Sequence, residues 1–506
     1  MEIRPEFCQM KVSSTATPSV TQAVVEAKLL SNVGEQIARI LSITADATVS
    51  AIEVFTGEAR FTGKVHFRVL FVGEDGKNRC LETTTEFSDK IENNALKVGA
   101  FANIDVCVLD TEVVALTSTE VKLASVVEVT LLTTKSEEFN CLVAGGEGIF
   151  VRNEKLSYLE LISTYNATFN VSNTLEKPSI TEICLSEHRV VLTEAVADRD
   201  MIRLIGVIVS DVCGETEDGL IASYRVETPF NEEISAVDVR SGDIVTANIS
   251  ITGDARMEAN EQNRAIVFLY ELNVNCTAYK TENITVATDV FSPAYELLCS
   301  FESVNLCKKK VCSTINDRVE GSVTLSNDMP IVDNILATTA LRLNVTNVRA
   351  EDGEATVEGM ASGNVIYYSA ESDQKSSVAV ELPFSLKVEI NDVEKGDTLT
   401  ANGEITAVTL KIRRGNEIDL KADVSIQICA TKMQTDSVIT SVELGDKKEI
   451  PTNAITVHIA KRGETLWSIA KILAVTPEII LAQNPLLSFP LEGGERVMLY
   501  RHLLHD

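Results

Sequence analysis

Residues 63–72 read GKVHFRVLFV. Val65, Phe67, Val69 and Phe71 occupy alternate positions, with polar or basic residues at 64, 66 and 68 between them. A period of two puts the apolar set on one face of a β-strand and leaves the other face for water. The same texture returns in GEATVEGMASGNVIYY (353–368), EITAVTLKI (404–412) and LKADVSIQI (420–428). Turn sequences such as EDGK and EDGE join such runs, as expected of antiparallel strands in a sandwich or barrel.

Outward from this strand, a long repeat emerges. A short apolar signature opens three segments: Ile37-Ala38-Arg39-Ile40-Leu41, Ile180-Thr181-Glu182-Ile183-Cys184 and Val332-Asp333-Asn334-Ile335-Leu336. A glycine follows 26, 26 and 27 residues on, at Gly63, Gly206 and Gly359. Phe87, Phe230 and Phe384 come 24, 24 and 25 residues later, in TEF, TPF and LPF. A second glycine stands 12 residues beyond each Phe, at 99, 242 and 396. VVEVTLL from 126, LNVNCTA from 272 and VSIQICA from 424 close the copies. Landmarks held in register three times mark a triplicated domain. Its copies span 18–135, 145–285 and 290–432.

Within each copy the opening signature, apolar at i, i+3 and i+4, reads as one short helix. The recurrent Phe reads as a core plug, and the recurrent glycines as turns or points of close strand approach. Stretches 136–150 and 432–453 read as connectors, the second being the linker (433–453) to a different module.

Composition narrows the function. The chain has 506 residues and a formal charge of −29, from 74 acidic and 45 basic side chains. Such acidity disfavours nucleic acid and anionic lipid, both of which are bound through Lys and Arg. The first thirty residues lack the apolar centre of a signal peptide, and no apolar run is long enough for a spanning helix. The eleven cysteines are scattered. They read as unpaired core residues of a protein kept in reducing cytosol, and the CKKKVC spacing at Cys307 and Cys312 is not a zinc site. Phosphate-binding, nucleophile-elbow and zinc-protease motifs are absent from the sequence. The five histidines are dispersed: His66 reads as solvent-facing, and His502 and His505 beside Asp506 as a solvated tail. No catalytic residue, metal ligand or cofactor is expected.

From residue 454 to 502 the pattern changes. ITVHIA is a short strand, Gly463 a turn, and Thr465 the cap of a helix from about Leu466 to Leu473. Thr476 caps a second helix that begins at Pro477, Asn484-Pro485 ends it, and ERVMLY closes as a strand. Gly463-Glu464-Thr465-Leu466-Trp467-Ser468-Ile469-Ala470, Val475-Thr476-Pro477-Glu478 and Asn484-Pro485 resemble the LysM domain. That resemblance implies a βααβ fold and a shallow groove for N-acetylglucosamine-containing glycans. Its walls would be Gly463, Glu464, Thr465 and Leu466 on one side, and Asn484, Pro485, Leu486 and Leu487 on the other. Trp467, the only tryptophan, is expected to pack between helix and sheet rather than touch ligand. One of Leu486 and Leu487 should be core. Phe489 is the candidate for an exposed apolar contact that would suit a protein partner better than a sugar.

The opening Ile-x-x-Ile-Leu, the strand pair GEARFTGKVHFRVLFV and the TEF/TPF/LPF element resemble the SPOCS domain. Copy two departs most, since VADRDMIRLIGVIVSDVC lacks the Gly-Glu-Ala hairpin start present at 57 and 353. The fold expected is mainly β: three tandem antiparallel sandwich- or barrel-like SPOCS repeats, then a small βααβ LysM domain. SPOCS repeats with a C-terminal LysM resemble clostridial spore-coat assembly proteins. This implies a scaffold in the mother-cell cytoplasm, at the forespore surface. It would dock through LysM to a coat-basement ATPase (SpoIVA-like) and meet other spore coat proteins. A cytosolic chain would not reach peptidoglycan, so protein recognition is favoured over glycan binding. Exposed strand edges would permit self-association.

Overall fold

The computed structural model describes residues 4–15, 18–33, 35–94, 96, 101–259, 264–449 and 455–501. Gly99, residues 450–454, His502, His505 and Asp506 fall outside them. Copy one comprises β1 (Glu6–Thr15), β2 (Ser19–Leu30), β3 (Ile37–Phe55), β4 (Glu58–Gly73), β5 (Asn78–Glu92), β6 (Phe101–Leu116) and β7 (Glu120–Ala144). Copy two follows as β8 (Phe150–Glu176), β9 (Ile180–Asp198), β10 (Met201–Thr216), β11 (Ile221–Ser235), β12 (Ile244–Ala259) and β13 (Arg264–Phe291). Copy three is β14 (Tyr295–Thr324), β15 (Asn334–Glu351), β16 (Glu354–Ser369), β17 (Gln374–Glu389), β18 (Thr398–Arg413) and β19 (Glu417–Lys447). The last module is β20 (Ile455–Ile459), α1 (Leu466–Leu473), α2 (Pro477–Gln483) and β21 (Arg496–Tyr500).

Each copy packs two antiparallel sheets face to face. In copies two and three the orders are β9-β10-β11 over β12-β13-β8, and β15-β16-β17 over β14-β19-β18. Copy one matches them with β3-β4-β5 over a sheet centred on β7, where β1 and β2 together replace the single long first strand. Val65, Phe67, Val69 and Phe71 are wholly buried against Val121, Val127, Val129 and Leu131, as the alternation of GKVHFRVLFV requires.

The recurrent glycine and phenylalanine are partners. Gly63 lies opposite Phe87, Gly206 opposite Phe230 and Gly359 opposite Phe384. A Cβ on Gly206 would sit 2.5 Å from the Phe230 ring and 2.4 Å from the Val191 carbonyl oxygen. The glycine lets the ring lie across its neighbour strand, so these glycines serve close approach, whereas Gly242 and Gly396 take positive φ in turns. In copy two, Asp200 adopts the positive φ that Gly57 and Gly353 supply elsewhere (56° against 86° and 81°). An Asp tolerates that region, so the hairpin survives without its glycine.

Three expectations are overturned. The opening signatures are strand, not helix. Register shifts at Ile37/Arg39 and Ile40/Ser42 place bulges there, with another at Ile335/Ala337. A bulge resets the alternation, so apolar residues separated by three can share a face of a strand. Neighbours then serve different cores. Ile40, Ile183 and Ile335 pack within their own copies. Leu41, Cys184 and Leu336 turn instead into a hub shared by all three, with Leu70, Cys213 and Ile366.

The connector readings also give way. Residues 136–144 and 432–447 are strand, belonging to β7 and β19. With β1 and the distal halves of β8, β13 and β14 they form three two-stranded ribbons. Met10, Val12 and Cys141 of the first ribbon meet Tyr158 and Val286 of the second and Val304, Leu306 and Val438 of the third. Only the inward residues of a three-ribbon stalk are covered, so 136–144 and 432–447 lack the long apolar alternation of a core strand. Finally, the cysteines are not all unpaired. Cys312 and Cys429 face each other across β14 and β19 and are disulfide-bonded, 117 residues apart in sequence. Local spacing cannot show a cross-strand partner. Nine other cysteines are free.

Candidate functional site

The C-terminal module is the βααβ unit expected. β20 and β21 pair antiparallel, from Ile455 opposite Tyr500 to Ile459 opposite Arg496. Ile469, Ala470, Leu473, Val475, Ile480, Leu491, Val497 and Leu499 form its core. Thr465 caps α1 reciprocally: its Oγ1 accepts from the Ser468 N–H at 3.2 Å, and Ser468 Oγ accepts from the Thr465 N–H at 2.9 Å. Thr476 Oγ1 accepts from the Ile479 N–H and Pro477 opens α2. Such caps satisfy the orphan amides of a helix start.

The loop before α1 is tied down. Gly463 takes φ of 85° and its N–H donates to the Leu491 carbonyl at 2.8 Å. The Leu491 N–H donates back to the Glu464 carbonyl at 2.9 Å. Glu464 Oε2 meets His458 Nε2 at 2.8 Å and accepts the Lys461 N–H at 2.9 Å. The bond from His458, then that from Lys461, holds its carboxyl below the usual range. Glu464 therefore braces the loop.

The predicted walls divide into fixed and free residues. Leu466 and Leu487 are half-buried on the same core. Asn484 is 7% exposed and its amide is fully used. Nδ2 donates to the Ile480 carbonyl at 2.9 Å and the Met498 carbonyl at 2.8 Å, while Oδ1 accepts the Met498 N–H at 2.8 Å. Gln483 forms a similar pair with Tyr500, a pin that the sequence reading missed. Gly463, Thr465 and Pro485 are exposed, and Leu486 is 95% exposed. Of the two leucines, Leu487 is the inward one. Phe489 is not the free apolar contact anticipated: it is half-buried against the module's core.

Trp467 stands at a junction. Its ring meets Phe291 edge-on, with centroids 4.9 Å apart, and Phe291 stacks on Phe150 at 5.5 Å. Trp467 Nε1–H donates to Asp289 Oδ2 at 2.8 Å, and Lys471 Nζ pairs with Asp289 Oδ1 at 2.6 Å. Phe150 and Phe291 are register partners at the end of the copy-two ribbon. The tryptophan thus seats the module on the stalk, a role that the expected packing between helix and sheet did not include. Asp289, Phe291 and Lys471 carry no local signal of it.

A family model described as SipL, SPOCS domain, matches residues 36–116 and 332–413, and a LysM domain model matches 458–490. The chain carries SPOCS domains and a LysM domain. Its architecture is SipL-like: SPOCS units followed by a C-terminal LysM. The SPOCS matches fall on copies one and three. Copy two shares their strand order and Gly–Phe pair but not the glycine at position 200. No curated protein and no solved structure matches the chain. Both domain types are binding or structural units associated with sporulation and glycan recognition. No single helix among the described residues is long and apolar enough to cross a membrane.

Proposed function

We propose that this protein is a non-enzymatic scaffold of spore-coat assembly. Its LysM domain docks to a coat-basement ATPase of the SpoIVA kind at the forespore surface, on the mother-cell side. The observation that carries the reading is the surface the seated LysM leaves open. Ile455, Val457 and Ile459 project from β20 at 51%, 48% and 66% exposure, and Leu486 adds a bare aliphatic at 95%. Three exposed aliphatics on one face of a strand suit a protein interface, where apolar area is buried at the centre. A glycan site needs placed polar groups, yet the Asn484 amide is already used inside the module.

The experiment offers the full chain either purified coat-basement ATPase or purified peptidoglycan. The scaffold reading expects capture of the ATPase, lost on Val457→Asp with strand content intact. Sedimentation with peptidoglycan, competed by N-acetylglucosamine oligomers and without ATPase capture, would replace it with wall binding. That second reading has the LysM family match in its favour.

A further inference from the structure

Where the three copies meet, strands of all three wall a polar chamber of about 1470 Å³. The outermost strands β3 and β6, β9 and β12, and β15 and β18 supply most of the wall, with further residues from β4, β5, β7, β14 and β19. Sites for small molecules usually measure about 300–1000 Å³ and are mostly apolar, so this chamber is both larger and differently lined.

The cations in its wall are already engaged. Arg68 Nη1 donates to Asp46 at 2.9 Å, Arg342 Nη2 to the Ala45 carbonyl at 3.0 Å, and Lys64 pairs with Glu86 at 3.5 Å. Arg79 is held by Asp75 at 2.7 Å, and Arg189 by Asp211 and the Ile405 carbonyl. Of the wall carboxylates without such a cation in contact, Asp105, Glu187 and Glu404 come one from each copy. Asp105 of copy one accepts the Val106 N–H, and Glu187 of copy two accepts the Ala340 N–H. Glu404 of copy three makes no hydrogen bond or ion pair among the described residues. Burial pushes Glu187 and Glu404 up to about 7, with the charge of Arg189 only partly opposing it.

A second, independent feature marks the same walls. Thr44 and Ser425 are 2% and 4% exposed, and neither side-chain oxygen has a partner. Ser425 sits directly across the ladder from Glu404. Buried polar atoms are almost always paired, and an exception calls for an explanation.

Among the described residues no three His, Cys, Asp or Glu side chains are placed to hold a metal ion. The acceptors suit a cation whose charges are separated. We propose that the chamber receives alkylammonium groups, as lysine side chains of an extended partner segment or as a free linear polyamine. Asp105, Glu187 and Glu404 take the charges, one from each copy. An ammonium carries three N–H donors and no acceptor, which matches a wall of carboxylates and unused hydroxyl oxygens. The size of the chamber leaves room for backbone as well as side chains.

The test uses the full chain at physiological salt with two probes. Spermidine is titrated by calorimetry, and a fluorescein-labelled peptide of alternating Lys and Ser by anisotropy. One site per chain is expected, weakened at least about tenfold by Glu404→Gln and unchanged by Glu371→Gln on an exposed turn. Tighter binding of the peptide assigns the site to a partner segment, and of spermidine to a free polyamine. Glu404→Gln removes an uncompensated charge, so it should fold and melt no lower than wild type at pH 8. Glu187→Gln serves as the second variant. Binding of neither probe, or binding that survives in both variants, overturns the proposal.

Discussion

Replacing Asp289 by Ala should unseat the LysM domain while the β-structure stands. The carboxylate accepts the Trp467 indole N–H at 2.8 Å and pairs with Lys471 at 2.6 Å. A hydrogen bond to a charged acceptor contributes roughly 1.5–3 kcal/mol. The Lys471 and Asp289 side chains are 46% and 31% exposed, so solvent screening leaves their ion pair about 0–1 kcal/mol. The loss is then about 2–3 kcal/mol, or roughly 30- to 150-fold in the seating equilibrium. Phe291→Ala, at a residue 2% exposed, should cost more, about 3–5 kcal/mol. Because Trp467 is the only tryptophan, its emission reports this one place. Both variants should shift emission to the red and admit iodide quenching, with far-UV dichroism unchanged. The sign with pH follows from Asp289. Burial raises its carboxyl, but the bonds from Lys471 and Trp467 outweigh that and hold it below its ordinary 3.8. Its contribution is present above 3.8 and is lost as pH falls through the lower, folded value. Wild-type emission should therefore shift in acid through a step that Asp289→Ala lacks. Emission and quenching of Asp289→Ala identical to wild type would refute the seating.

Other perturbations test the repeats and the pins. Gly206→Ala drives a Cβ to 2.4 Å from the Val191 carbonyl oxygen. Backbone cannot yield as a flexible side chain can, so a loss of about 1–3 kcal/mol should appear as a lower urea midpoint. Asn484→Ala orphans the Met498 N–H and carbonyl in β21, while the Ile480 carbonyl keeps the main-chain N–H of residue 484. It should cost about 3 kcal/mol or more, with Trp467 emission unfolding ahead of the strand signal. Glu187 and Glu404 are raised from 4.5 to about 7 by burial. Their contribution to stability is fully present below 4.5 and is lost as pH rises through about 7. The urea midpoint should thus fall between pH 5 and 8, by of order 1–3 kcal/mol for each group, and Glu404→Gln should flatten the profile.

Much of the fold was legible because strand alternation and spacing are local. GKVHFRVLFV reads as a one-sided strand and is one, and the Gly–Phe spacing held in all three copies because the two residues face each other. The LysM caps at Thr465 and Thr476 are likewise encoded within three residues. What the sequence hid depends on partners far along the chain. The bulges at 37–42 imitate helical spacing, since two register resets bring third neighbours to one face. The ribbon strands at 136–144 and 432–447 bury only their inward residues, so they lack the long apolar alternation of a core strand. At the groove, residue type suggested contact, but neighbours decided it. Asn484 is spent on Ile480 and Met498, and Phe489 lies on the core, so Leu486 is the residue left bare.

The adjacent pair Ile40-Leu41 also explains why the domain occurs three times. Ile40 closes the sandwich of its own copy, but Leu41 faces outward from it and is wholly buried only because the other copies supply Cys184, Leu185 and Leu336. The stalk obeys the same logic, since an isolated two-stranded ribbon is marginal in water and Met10 needs Tyr158 and Val304 to be covered. A single copy would expose both surfaces. Three copies cover them, and the closed ring leaves a chamber between outermost strands whose edges would otherwise invite pairing with other chains. Asp105 and Glu404 stand on the equivalent strands β6 and β18, and Glu187 on β9. The chamber therefore combines side chains that no one repeat possesses.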